Sequence, residues 1–226
     1  MLDPGHGGLD SGAFRDDVKE SDLMLTFSFE LAETLIRTGR VEVRLTRYDD
    51  EFLRISERLE AARNAGATAL ISLHADALEE GRASGAAAFT LSKSASDETA
   101  AALVESHERA DVLVGGALSQ TDDEIATILL DMSQRVSHPA SQALAQDLIT
   151  ALSQAENSVR RKAQQSANFG VLKSPDIASV LLELGFMSDE NDLKNLQDEA
   201  WRRHTANAIS SAVLTWLDRA GRYSTE

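Results

Sequence analysis

The chain of 226 residues contains no cysteine. Disulfides, thiolate metal sites and a cysteine nucleophile are therefore excluded, and any metal must be held by histidine and carboxylate. Histidine is scarce as well: His6, His74, His107, His138 and His204 are the whole supply. No run of about 18 uncharged apolar residues occurs, so nothing has the length and character of a membrane-spanning helix. Positive charge is in short supply, with 22 Lys and Arg against 37 Asp and Glu and a net charge of -15. That balance argues against a nucleic-acid binder, which carries a basic footprint, and against electrostatic attachment to anionic lipid or an anionic wall. No basic, apolar and small-residue leader pattern opens the chain. Met1-Leu2-Asp3 runs at once into a glycine-rich turn, as expected of a fragment whose first strand has lost its beginning.

The 42% hydrophobic content suits one ordinary core, and the length suggests a single domain over residues 1–226. Residues 4–13, Pro-Gly-His-Gly-Gly-Leu-Asp-Ser-Gly-Ala, are dense in turn formers. Apolar residues then recur at helical spacing from Ser21 to Arg40, with Ser21 or Asp22 as cap and Gly39 as stop. Val41–Leu45 alternates like a strand, 53–65 reads as a helix, and Thr68–Leu73 and Ala86–Leu91 read as short strands. Strand patterns return at Gly170–Leu172 and Ala178–Leu184, and a helix over 199–219 closes the chain. The alternation predicts an α/β fold: a mostly parallel twisted sheet flanked by helices. Residues 95–165 carry no convincing strand but three helical segments, about 97–113, 122–135 and 139–157, punctuated by Gly115-Gly116 and His138-Pro139. They read as a helical insertion.

Three candidate groups fall at strand ends, where open α/β sheets bind ligands. His6 follows the N-terminal strand remnant, His74 ends the strand 68–73, and Glu183 lies at the carboxyl end of 178–184. Glu20, at the start of the first helix, lies near the same edge. Two imidazoles and a carboxylate form a known catalytic zinc set that leaves a position for water. Zinc makes water nucleophilic near neutral pH, and a further carboxylate can move its proton to a leaving amine. Spacing does not say which glutamate binds metal and which moves the proton. A glycine-rich loop before a helix can also cradle phosphate, but this one has neither of the usual nucleotide-loop spacings.

Four blocks change the reading: Asp3-Pro4-Gly5-His6-Gly7-Gly8, Lys19-Glu20, Ser72-Leu73-His74-Ala75-Asp76 and Glu183-Leu184-Gly185-Phe186. Thr46-Arg47, Arg58 with Asn64, Ala167-Asn168-Phe169 and Val171-Leu172-Lys173 accompany them. In this order, over nearly the whole chain, they resemble the zinc-dependent N-acetylmuramoyl-L-alanine amidases that include the cell-division amidases. The resemblance implies one zinc per chain on His6, Glu20 and His74, with Glu183 as catalytic acid/base. It implies cleavage of the amide between N-acetylmuramic acid and the L-alanine of the peptidoglycan stem peptide. Asp3 and Asp76 are candidates to orient the metal-binding histidines, with loop capping as the alternative. Arg58 and Asn64 read as packing and hydrogen-bonding residues. His107, His138 and His204 match no motif and receive no metal role.

The insertion, at about 95–135, resembles the one that holds some cell-division amidases inactive by blocking the cleft and giving the zinc a carboxylate. Glu108 in Glu105-Ser-His-Glu108-Arg-Ala-Asp111 is the matching candidate, and a solvated helix face is the alternative. Ile125, Ile128, Leu129 and Met132 form a stripe that reads as core packing, or else as a surface for an activator. The resemblance implies a LytM-fold activator, a role in cell separation and a periplasmic setting. A peptidase or phage-type endolysin, a wall-binding module and a phosphate-binding α/β protein are the rival readings.

Overall fold

The computed structural model describes residues 1–78, 83–113, 124–219 and 221, with the side chains of 108–113 and 124–136 outside the description. Five strands form the central sheet: β1 (Leu2–Pro4), β4 (Ala69–His74), β5 (Ala86–Leu91), β6 (Val159–Ala167) and β7 (Ala178–Glu183). Their order is β1-β4-β7-β5-β6, parallel at every pairing except β5 with β7. A two-residue ribbon, β2 (Phe14–Arg15) with β3 (Val18–Lys19), stands apart. The helices are α1 (Glu20–Arg37), α2 (Ile55–Asn64), α3 (Glu98–Leu113), α4 (Glu124–Gln154), α5 (Glu190–Gln197) and α6 (Glu199–Arg219).

The side-chain alternation of strands sorts the core into two layers. Ile71 and Leu73 of β4 and Val180 and Leu182 of β7 pack with Phe27 and Leu31 of α1, Leu144 and Leu148 of α4, and Ile209 and Trp216 of α6. Leu70 and Leu181 point the other way, to Leu59 of α2, Leu103 of α3, Phe89 and Phe169. Strands covered on both faces read as near-continuous apolar runs, which is how β4 and β7 appear in the sequence.

Several expectations need correction. Val41–Leu45 is not a strand; Leu45 makes one isolated bridge to Leu2, because β1 is too short to offer a longer partner edge. Gly170–Leu172 is a 3-10 turn. The insertion region yields a strand at its end, β6, whose sequence Val-Arg-Arg-Lys-Ala-Gln-Gln-Ser-Ala is polar because it forms the edge of the sheet. The two segments split at His138-Pro139 join as α4: proline removes one backbone donor, and the buried stripe Leu144, Leu148 and Leu152 holds the helix to the core. Helix α1 begins at Glu20, and neither Ser21 nor Asp22 caps it. Loop carbonyls do so instead: Ala13 accepts from the Glu20 amide at 2.9 Å and Ser11 from the Ser21 amide at 3.1 Å. Among the described residues no helix is long and apolar enough to cross a membrane.

Candidate active site

His74 and Glu183 are register partners at the ends of β4 and β7. Strand alternation turns both toward the α2/α3 layer, opposite Leu73 and Leu182. Glu20, the first residue of α1, is fully buried. His6 follows β1 with φ at 58°, a left-handed conformation that costs a histidine energy and must be held by its surroundings. Two neighbours must be glycine. A Cβ on Gly5 would strike the His74 ring, and one on Gly12, at φ 64°, would lie 2.6 Å from both Glu20 Oε2 and His6 Cδ2.

Two buried arginines hold this loop by its carbonyls. Arg47 donates to Pro4, Gly5 and Ser21 at 2.8–3.0 Å. Arg58 donates to the Pro4 and His6 carbonyls at 2.9 and 2.8 Å and to Asp3 Oδ1 at 2.7 Å. Thr46 and Ser72 also donate to Asp3, each at 2.6 Å. Burial alone would raise the pKa of Asp3, but Arg58 and the two hydroxyls hold it below the usual carboxylate value. Asp3→Asn is therefore expected to destabilise the fold by about 3 kcal/mol at pH 7, as when a buried ion pair loses one partner. A carboxylate with a lowered folded pKa stabilises above its unfolded value and loses that contribution as pH falls. The gap between variant and parent in urea titrations should thus shrink below about pH 4.

Asp3 also reaches a candidate ligand. Ser72 Oγ, which donates to Asp3, lies 3.2 Å from His74 Nε2. This relay places a proton on Nε2 and turns Nδ1 to Glu20 Oε1, 3.1 Å away. His6 is arranged alike: Nδ1 donates to Asp10 Oδ2 at 2.7 Å, and Nε2 lies 3.2 Å from Glu20 Oε2. Asp10 had no role in the sequence reading; its place four residues after His6 was the available signal. Asp76 does not touch His6 or His74; its Oδ2 lies 3.3 Å from His107 Nε2.

Two imidazole nitrogens and one carboxylate thus aim at a single buried point. Such a point needs a cation, and without metal a proton serves. Burial opposes charge on His6, but Glu20 and Asp10 outweigh it and hold its pKa at about 10. His74, buried and beside His107, is pushed down to about 3. Burial would raise Glu20, yet His6 and His74 hold it well below the usual range. Burial, then Asp76 and Glu20, push Glu183 well above it. Four buried polar atoms here lack a hydrogen-bond partner among the described residues: His6 Nε2, His107 Nε2, Asp76 Oδ2 and Glu183 Oε1. The donor set, its neutralisable nitrogens and these orphaned atoms fit a zinc ion.

His107 is the residue that sequence reasoning set aside. It projects from α3 and stacks on His74 with ring centroids 4.1 Å apart. Its Nε2 lies 3.6 Å from Glu183 Oε1, and candidate ligand atoms of His6, His74 and His107 all fall within 4.8 Å of one another. The sequence reading assigns His107 no metal role, but the fold brings it beside the candidate metal point. The signal was a helical stripe: Ala100, Leu103 and Val104 dock α3 on the core, and His107 is its next position. A cavity of about 40 Å³ remains beside the three imidazoles, room for a water or two rather than a glycopeptide. The Glu108 side chain lies outside the described residues, as do Gly115-Gly116 and the side chains of Ile125, Ile128, Leu129 and Met132. His204 is remote and hydrogen-bonds the Ala155 carbonyl at 2.8 Å.

Residues 1–215 match the N-acetylmuramoyl-L-alanine amidase family. The chain belongs to that family. Its members hydrolyse the amide between N-acetylmuramic acid and L-alanine in peptidoglycan. The amidase is 33% identical over 229 residues to N-acetylmuramoyl-L-alanine amidase AmiA of Escherichia coli (strain K12), covering 99% of this chain and 78% of that one. It is 30% identical to AmiC of E. coli O6:H1 (strain CFT073 / ATCC 700928 / UPEC), covering 96% of this chain and 52% of AmiC. Among solved structures, the N-acetylmuramoyl-L-alanine amidase from Clostridium difficile 630 superposes with a TM-score of 0.70 at 24% identity, covering 96% and 95% of the two chains, and so shares the fold.

Proposed function

We propose that this amidase is zinc-dependent, with His6, Glu20 and His74 as ligands and Glu183 as the general acid/base. The observation that carries this is the convergence of His6 Nε2, His74 Nδ1 and Glu20 on one buried point, beside a second carboxylate with a raised pKa. Zinc there supplies Lewis acidity for the scissile carbonyl and makes water nucleophilic near neutral pH. Asp10 and the Asp3–Ser72 pair fix the two imidazoles so that their outward nitrogens carry the protons. Glu183 takes the proton of the attacking water and returns it to the departing alanine amine, a role that suits a carboxylate with a raised pKa. Protein purified without chelator is expected to hold about one zinc per chain. Chelation should abolish release of stem peptides from sacculi, and zinc should restore it. Absence of metal in elemental analysis would sink the ligand assignment.

The same reading makes α3 the lid of a self-inhibited enzyme. His107 lies on His74, against Asp76 and Glu183, where the substrate amide must enter. Glu108, the next residue, is the candidate carboxylate for the metal in that state. Opening requires a partner, for which a LytM-fold activator acting during cell separation in the periplasm is our reading. The peptidoglycan substrate and the likeness to AmiA and AmiC support it.

A further inference from the structure

We infer that Arg160, Arg161 and Lys162 form a carboxylate-binding subsite for the peptide side of the substrate, next to the cleft. Three consecutive cations are conspicuous in a chain of net charge -15. They lie where the β5–β6 register jumps from Ala86↔Val159 to Ala88↔Gln164, which leaves residues 160–163 as a bulge. Bulges re-aim side chains at sheet edges and beside active sites. Because Ala87 of β5 pairs with Glu183, the bulge lies at the same end of the sheet as the catalytic carboxylate, two strands away. With strands about 4.8 Å apart, the separation is roughly 10 Å, the span of about three extended peptide residues.

The side chains are built for an anion. Arg160 lies with its guanidinium carbon 5.5 Å from the centroid of Phe186, in the loop just after Glu183. Its Nη1 is buried and has no hydrogen-bond partner among the described residues, a costly state for a charged donor that a ligand oxygen would relieve. The cavity in front of it, about 490 Å³, is lined also by Ser84 and Ser158. Two acids, Asp97 and Asp189, line it as well but are committed elsewhere. Asp97 accepts from the Ala100 amide at the start of α3, and Asp189 from the Asn191 and Asp192 amides at the start of α5. Arg161 and Lys162 are exposed at the wall of this cavity, and Arg160 is half-buried there. A carboxylate about three residues beyond the scissile amide would meet a planar donor pair there. In a protein that otherwise repels anions, this patch gives the anionic peptide a local attraction and a direction.

This inference rests on the amidase reading for its ligand, and the test separates the two. Binding of a synthetic muramyl tripeptide with free carboxylates would be measured by calorimetry on the full chain carrying Glu183→Gln, which prevents turnover. Arg160→Gln is expected to weaken binding about tenfold, the scale of one charge-assisted hydrogen-bonded contact. Amidating the peptide carboxylates should cost the unsubstituted pocket a similar factor, and combining both changes should add little. A closed lid weakens every arm equally and leaves the ratios intact. Arg160→Lys should recover part of the loss, and Arg161→Gln gives a second reading should Arg160→Gln fold poorly. Equal affinity with and without the Arg160→Gln substitution, or equal losses for acid and amidated peptides, would overturn the subsite. Inorganic phosphate binding as tightly as the peptide would overturn the peptide assignment and leave a generic anion pocket. Arg160-dependent peptide binding without any cleavage of sacculi by the chain carrying His107→Ala or lacking residues 95–135, in which the proposed lid is open, would instead refute the amidase reading and keep the subsite.

Discussion

Glu183→Gln is expected to lower the turnover of sacculi by roughly 10³-fold, within the range for loss of a general acid/base, while the protein keeps about one zinc per chain. The two outcomes separate because Glu183 is not among the groups that aim at the metal point. It occupies the strand next to His74, accepts the Asp76 amide at 3.1 Å through Oε2 and leaves Oε1 without a partner among the described residues. Glutamine fills the same space and retains an acceptor for that amide, but it cannot carry a proton between water and amine. A second readout follows from the raised pKa of the carboxyl. A buried acid whose folded pKa exceeds its unfolded value destabilises the fold as pH rises through the unfolded value, about 4.3. The metal-free Glu183→Gln protein should therefore melt higher than its parent above that pH, and no higher below it. An enzyme that still turns over within tenfold of the parent would remove Glu183 from the chemistry.

What was legible in the sequence follows from what leaves a pattern. Buried strands leave apolar runs, so β4 and β7 were visible, and with them the strand-end positions of His74 and Glu183. The glycine-rich loop was visible because His6 and Gly12 require left-handed backbone next to a crowded ring and carboxylate. The edge strand β6 was not, since an edge needs no apolar alternation and this one carries three cations in its bulge. Val41–Leu45 erred in the other direction: it has the alternation but no partner edge longer than β1. His107 was missed for a different reason. No motif marks it, and its role depends on which face α3 lays on the sheet, a tertiary fact written only in the apolar stripe Ala100, Leu103 and Val104.

That stripe sets the second large effect. His107→Ala is expected to raise basal turnover at least tenfold, and removal of residues 95–135 should raise it at least as far. If the cleft is open in about one molecule in a hundred, opening it fully can gain up to about a hundredfold, since apparent affinity scales with the competent fraction. Among the described residues, His107 holds the proposed lid near the metal point through the stack on His74, the edge-on contact with His6 at 5.6 Å, the approach to Asp76 and Glu183, and the tilted contact with Phe169 at 5.3 Å. Alanine removes all of them and leaves Ala100 and Leu103 to keep α3 folded against the domain. The change also takes an imidazole from beside His74, so zinc content must be followed alongside activity. Retained zinc with higher turnover places His107 in the lid. Retained zinc with turnover lowered tenfold would place it in the chemistry, as a group that helps hold the substrate amide. Glu108→Ala tested in parallel divides the lid between its two neighbouring residues: a larger gain there than at His107 would assign closure chiefly to the carboxylate, and a gain at His107 alone would assign it to the imidazole stack.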